Sequence, residues 1–81
     1  MNSDNVIVLS DLEAGGRGIV VRLEGGRGFL RRMAALGFNP GATVDVVRND
    51  GFGPLIVSIL DTQIALGRGQ ASKVYVRREG R

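Results

Sequence analysis

The sequence predicts a mainly β fold, a small, strongly bent barrel of five short strands with one inserted helix. Three observations lead there. The chain has 81 residues, enough for one domain, and a chain of that size buries only about 60% of its extended surface. The core is therefore small, and an enclosed substrate chamber is excluded. The apolar residues are chiefly Val, Leu and Ile, in short runs that favour strands over a helical bundle. Finally, 13 glycines interrupt those runs, so the chain bends often, yet at 43% apolar residues it is too hydrophobic for disorder.

Taken in order, residues 1–5 are expected to fray, and residues 6–9 form a short extended run. Ser10 or Asp11 is placed to cap a single turn that holds Leu12 against the core. Residues 17–23 read as the first barrel strand, with Ile19, Val21 and Leu23 on one face and Val20 and Arg22 on the other. The one convincing helix spans residues 27–36, "RGFLRRMAAL". Its Leu30, Met33 and Ala34 share a line, with Phe29 beside Met33, while Arg31, Arg32 and Ala35 point away. Gly37 is placed as the left-handed residue that ends the helix, with Phe38 folding back onto the last turn. Pro40 and Gly41 fit the central positions of a type II turn.

A meander follows. Residues 43–48 form a strand with Val44 and Val46 inward and Val47 reaching a secondary cluster. "NDGFGP" is a loop, and residues 55–60 form a strand with Leu55, Val57 and Ile59 inward. Asp61 and Thr62 turn the chain into residues 63–66. "GRGQAS" supplies a bend or a short helical turn, and residues 73–77 close the barrel with Val74 and Val76 inward. A five-stranded SH3-like barrel is the economical assembly, because closure removes apolar strand edges. An OB-like barrel fits less well, given the short strands and the early helix.

Composition excludes much chemistry. With no Cys and no His, disulfides, thiolate catalysis, structural zinc and histidine acid–base steps are ruled out. No catalytic residue, metal ligand set or cofactor site is expected; Asp45, Asp50 and Asp61 read as surface carboxylates. The N-terminal segment lacks the pattern of a signal peptide, no run approaches the roughly 20 apolar residues of a membrane span, and the cytoplasm is the expected compartment. The net charge of +3 is modest and argues weakly for a nucleic-acid partner.

"GGRG" occurs twice, at residues 15–18 and 25–28. Neither copy is followed by the Lys of a phosphate-binding loop, and the spaced glycines of a dinucleotide fingerprint are missing. Both copies sit between periodic apolar segments, unlike an unstructured Arg-Gly tract. They read as the two bends that bracket the first strand.

The segments "LSDLEAGGRG", "RRMAALGFNPGATVDVV", "GPLIVSILDTQIAL" and the closing "KVYV" together resemble the FeoA family, over nearly the whole chain. These are small cytoplasmic accessory proteins of bacterial ferrous iron transport, and the same domain ends iron-dependent repressors. The resemblance implies a single FeoA-like domain over residues 1–81, with its core at 9–76, and an SH3-like barrel. It also implies a non-catalytic regulatory partner of a membrane permease that carries a GTPase domain and moves Fe(II). Two departures stand out: Gly67 precedes Arg68 where the family has a basic residue, and Asp61 replaces a glycine. The first weakens any carry-over of a basic contact there.

Candidate contact residues are Arg27, Arg31 and Arg32, read either as a solvated helix face or as a contact for an acidic or polar partner surface. Phe52, at the tip of a Gly-flanked loop, is the candidate hydrophobic anchor. Tyr75 suits an interface or a second small cluster. Gly37, Pro40 and Gly41 are structural. The competing functional readings are a repressor-type regulatory domain, for which an adjoining DNA-binding segment is missing, and a nucleic-acid-binding barrel, for which only Tyr75 between Lys73 and Arg77 speaks. Weak homo-oligomerisation remains open.

Overall fold

A computed structural model describes residues 6–79; the expected fraying at residues 1–5 lies outside that range. The elements in chain order are β1 (Val6–Val8), a 3-10 turn (Leu9–Asp11), β2 (Arg17–Leu23), α1 (Arg27–Leu36), β3 (Thr43–Arg48), β4 (Leu55–Ile59), β5 (Thr62–Leu66), α2 (Arg68–Ala71) and β6 (Val74–Glu79). The six strands form one antiparallel sheet in the order β1-β6-β2-β3-β4-β5.

The added strand is the first correction to the five-strand expectation. Residues 6–8 pair with the far end of the chain, Val6 with Arg77, Ile7 with Val76 and Val8 with Tyr75. No local pattern announces such a partner. Strands β1 and β5 end the sheet without pairing to each other. The turn after β1 instead meets α2 after β5, where Arg68 Nη1 donates to the Ser10 carbonyl at 3.3 Å.

Alternation fills the core from one face of each strand: Val44 and Val46 on β3, Leu55, Val57 and Ile59 on β4, Leu66 on β5, and Val74 and Val76 on β6. Leu9, Leu12, Val20, Met33, Phe38 and Ala71 complete it. Burying an aromatic or aliphatic side chain of this size contributes about 1.5–3 kcal/mol, so a few such residues decide whether so small a domain folds.

Two bulges overturn face assignments. On β2 the register shifts between Val20 and Arg22. Val20 is buried and Leu23, beyond the shift, reaches the same core, while Ile19 and Val21 are half-buried on the other side. An extra residue in one strand flips the alternation beyond it. On β3 a shift between Val46 and Arg48 leaves Val47 exposed, with no secondary cluster to join.

The helix stop forms as expected. Gly37 has φ 105°, its N–H donates to the Ala34 carbonyl, and the Phe38 N–H donates to the Met33 carbonyl, both at 3.0 Å. This is the double bond of a Schellman motif, with Phe38 packed under Met33's turn. The type II turn follows: Gly41 has φ 94°, and the Ala42 N–H donates to Asn39 at 2.9 Å. Further on, the β4–β5 turn is centred on Leu60 and Asp61, with φ 52° and 63°, one residue earlier than the sequence suggested. Those two positive φ values mark a type I′ hairpin. Ser10 and Asp11 do not cap the 3-10 turn, which starts from Val8 without a side-chain cap; Leu12 is buried nonetheless.

Candidate interaction surface

Helix α1 starts straight from the second GGRG bend and ends in the Schellman motif, so both of its ends are fixed by backbone geometry. Only Met33 is fully buried, with Phe29 packed at the edge of the core. Leu30 and Ala34, expected inside, instead form one wall of an open hollow of about 330 Å³. Leu23 and Arg22 from the end of β2 line it too, as do Phe38, Asn39 and Pro40 from the turn. The walls are mostly apolar, and Leu30 is 38% exposed. The helix leans over the barrel rather than sealing it, and a side chain from outside has a slot to enter.

The rim of this hollow is polar and organised. The Arg22 guanidinium lies 4.1 Å from the centre of the Tyr75 ring, and its Nε donates to Glu24 at 3.1 Å. The Tyr75 hydroxyl donates to the same carboxylate at 3.4 Å. The Tyr75 ring is half-buried and covered by Arg22, which makes it part of a small cluster at this rim. Lys73 is likewise occupied, its Nζ 5.3 Å from the centre of the Phe29 ring. An aromatic–basic platform for bases is not left free at β6.

Arg27, Arg31 and Arg32 are all exposed, and among the described residues none has an ion-pair partner within 4 Å. At about 100° per residue they do not share one face. Arg27 and Arg31, one turn apart, flank the Leu30–Ala34 wall, whereas Arg32 lies toward Leu36. The two GGRG copies thus differ. Arg17 of the first donates to Asp45 at 2.7 Å across β2 and β3, a bond that raises its pKa further, while Arg27 of the second stands free beside the hollow.

Phe52 is 76% exposed at the tip of the β3–β4 loop, as expected. With Arg48, Asp50, Gly53, Pro54 and Ile56 it lines a second shallow hollow of about 290 Å³. No residue lines both hollows, so the candidate contacts fall into two separate patches. The base of the loop is held by a contact the sequence did not disclose. The Asn49 amide donates to the carbonyls of Ser10 and Leu12, at 3.0 and 2.9 Å. Its oxygen accepts from Arg68 Nη2 at 2.7 Å and from the Gly51 N–H at 3.0 Å. Arg68 Nε also donates to the Gly53 carbonyl at 3.0 Å. Arg68 is therefore a structural clamp between α2, the 3-10 turn and the loop, despite the preceding Gly67. An Asn before Asp-Gly signals the local turn; nothing in the sequence signals its partner.

Elsewhere the charges pair on the surface. Arg78 Nη1 donates to both Glu13 oxygens, at 2.9 and 3.1 Å, and this bond holds the Glu13 carboxyl below the usual carboxylate range. Among the described residues no three carboxylates gather around one point, and no helix is long and apolar enough to cross a membrane.

Comparison with known proteins fits this frame. The FeoA domain family matches residues 7–78. The chain belongs to the FeoA family. A Methanocaldococcus jannaschii protein named for Fe(2+) transport, transport protein A, is 40% identical over 58 residues, 72% of this chain and 70% of its own. A Porphyromonas gingivalis Fe(2+) transport protein A/Fe(2+) transporter FeoB fusion protein is 35% identical over 69 residues. That match covers 84% of this chain but only 8% of the fusion. A crystal structure of an iron uptake regulatory protein, FeoA, superimposes with a TM-score of 0.87 at 36% identity, over 91% of this chain and 99% of that one. Stenotrophomonas maltophilia FeoA complexed with zinc, described as a procaryotic SH3 domain protein, gives 0.78 at 28% identity, over 90% and 95% of the two chains. The fold is SH3-like, and the FeoA family is associated with Fe(2+) transport.

Proposed function

We propose that this chain is a non-catalytic accessory protein that binds the cytoplasmic part of a ferrous iron permease bearing a GTPase domain and modulates Fe(II) uptake. The observation that carries this reading is the fusion relative, in which a segment similar to 84% of this chain belongs to one polypeptide with an Fe(2+) transporter. A covalent tether raises the effective concentration of the partners, and separate chains meet the same need by affinity. The hollow beside α1 supports the reading, since it offers apolar walls for an inserted side chain and Arg22 in its lining for a polar or acidic surround. The exposed Phe52 is the second anchor. Contact, without any covalent step, shifts the assembly or gating of the permease.

The test is co-purification with the permease's cytoplasmic region, using Phe52→Ser and the double variant R27E/R31E. Wild-type chain is retained, and each variant loses most of that retention. Equal retention of both variants would reject these surfaces.

A further inference from the structure

Strand β5 is an edge, and it is unguarded. It pairs with β4 in unbroken register, Leu55 to Leu66 through Ile59 to Thr62. The two-residue hairpin makes Ile59 and Thr62 a hydrogen-bonded pair, and antiparallel ladders alternate. Thr62, Ile64 and Leu66 therefore bond inward to β4, while the N–H and C=O groups of Gln63 and Ala65 face outward. Among the described residues those outward groups meet no other backbone group. Sheet edges are ordinarily blunted by Lys, Pro, inward charges or bulges. The β5 sequence "TQIAL" has none of these, in a chain in which 23% of residues are charged. Leu60, 75% exposed at its near end, adds apolar surface.

We infer that β5 pairs with β5 of a second copy, antiparallel about a two-fold axis through Ile64, joining the two sheets edge to edge. The strand is complementary to itself in that register. Gln63 of each copy lies opposite Ala65 of the other, and all four outward N–H groups and carbonyls on the two residues find partners. Ile64 opposes Ile64, a β-branched pair that packs well. No residue of the paired strands is charged, so no like charges meet across them. Isologous contacts of this kind close as dimers. One strand pair buries less than the roughly 1,200–2,000 Å² of a stable interface, so the dimer is weak and concentration-dependent. No residue of β5 itself lines either hollow.

Sedimentation equilibrium on the full chain tests this, with Ala65→Pro and Gln63→Lys. Ala65→Pro removes an outward N–H and no bond to β4; Gln63→Lys charges the edge. The wild-type average mass rises from 8.6 kDa toward twice that value with concentration, and both variants stay monomeric with unchanged circular dichroism. Amide exchange at Gln63 and Ala65 slows about tenfold from dilute to concentrated samples, while Ile64 does not change. Should Ala65→Pro unfold, Gln63→Lys alone decides. A wild-type chain that stays at monomer mass up to millimolar concentration, or a dimer undiminished in a folded variant, overturns the inference.

Discussion

Asn49 spends its whole hydrogen-bonding capacity on three segments, the 3-10 turn, its own loop and Arg68. Asn49→Ala removes the side-chain donor to the Leu12 carbonyl, one of two donors to the Ser10 carbonyl, and the acceptor for one Arg68 N–H, in partly buried surroundings. Each such group costs about 1–3 kcal/mol when left unsatisfied, so a loss of about 2 kcal/mol is expected in urea unfolding. A loss below about 0.5 kcal/mol would mean water replaces the amide and the clamp is not structural. Arg68 shows the limit of reading residues singly: its neighbours in sequence describe a bend, whereas its partners come from residues 10, 49 and 53. Glu13 gives a smaller, pH-dependent effect. Its carboxyl is lowered by Arg78, so the stability it contributes is present above the unfolded carboxylate pKa and is lost as pH falls through the folded one. Glu13→Gln therefore melts slightly below wild type at neutral pH, by little because the pair is exposed, and the two curves converge in acid. A gap that persists at the acid end would assign the effect to something other than ionisation.

Elements were legible where their causes are local. Helix α1, its Schellman stop and the type II turn are specified within a few residues by Gly37, Pro40 and Gly41, and the structure follows them. Gly37 has a second constraint, since a Cβ there would sit 2.7 Å from Leu60 Cδ1. Gly37→Ala is accordingly expected to cost about 1–2 kcal/mol from the left-handed backbone, with some addition from displacing Leu60, read as a lower melting temperature with unchanged far-UV circular dichroism. No change in melting would show that the helix end relaxes freely. The β1–β6 pairing and the two bulges were not legible, because strand register depends on partners distant in sequence. The same physics explains Gly18. It approaches Val76 so closely that a Cβ would fall 2.9 Å from that side chain, and this gives the first GGRG copy a packing role that its repetition conceals. The helix was assigned the right span but too wide a buried face. Leu30 and Ala34 line a hollow because α1 leans on the barrel through Met33 and Phe29 alone.

At the scale of the molecule, the sequence supported a small SH3-like FeoA domain with apolar and basic residues left outside. It did not show that the candidate contacts fall into two patches. Nor did it show that Tyr75 is tied to Arg22 and Glu24. Of the two patches, the α1 hollow is the more developed, with apolar walls, a rim fixed by the Arg22 cluster, and the free Arg27 and Arg31 beside it. On the proposed function, this hollow receives the permease's cytoplasmic region. Calorimetric titration of the chain into the permease's soluble cytoplasmic region, with Leu30→Glu as the variant, tests it most directly. Leu30 is partly exposed already, so the fold tolerates the change while the carboxylate spoils the apolar wall. Saturable wild-type binding is expected, weakened at least tenfold in Leu30→Glu, about 1.4 kcal/mol. Binding of equal strength in both, or no wild-type binding at all, would contradict it.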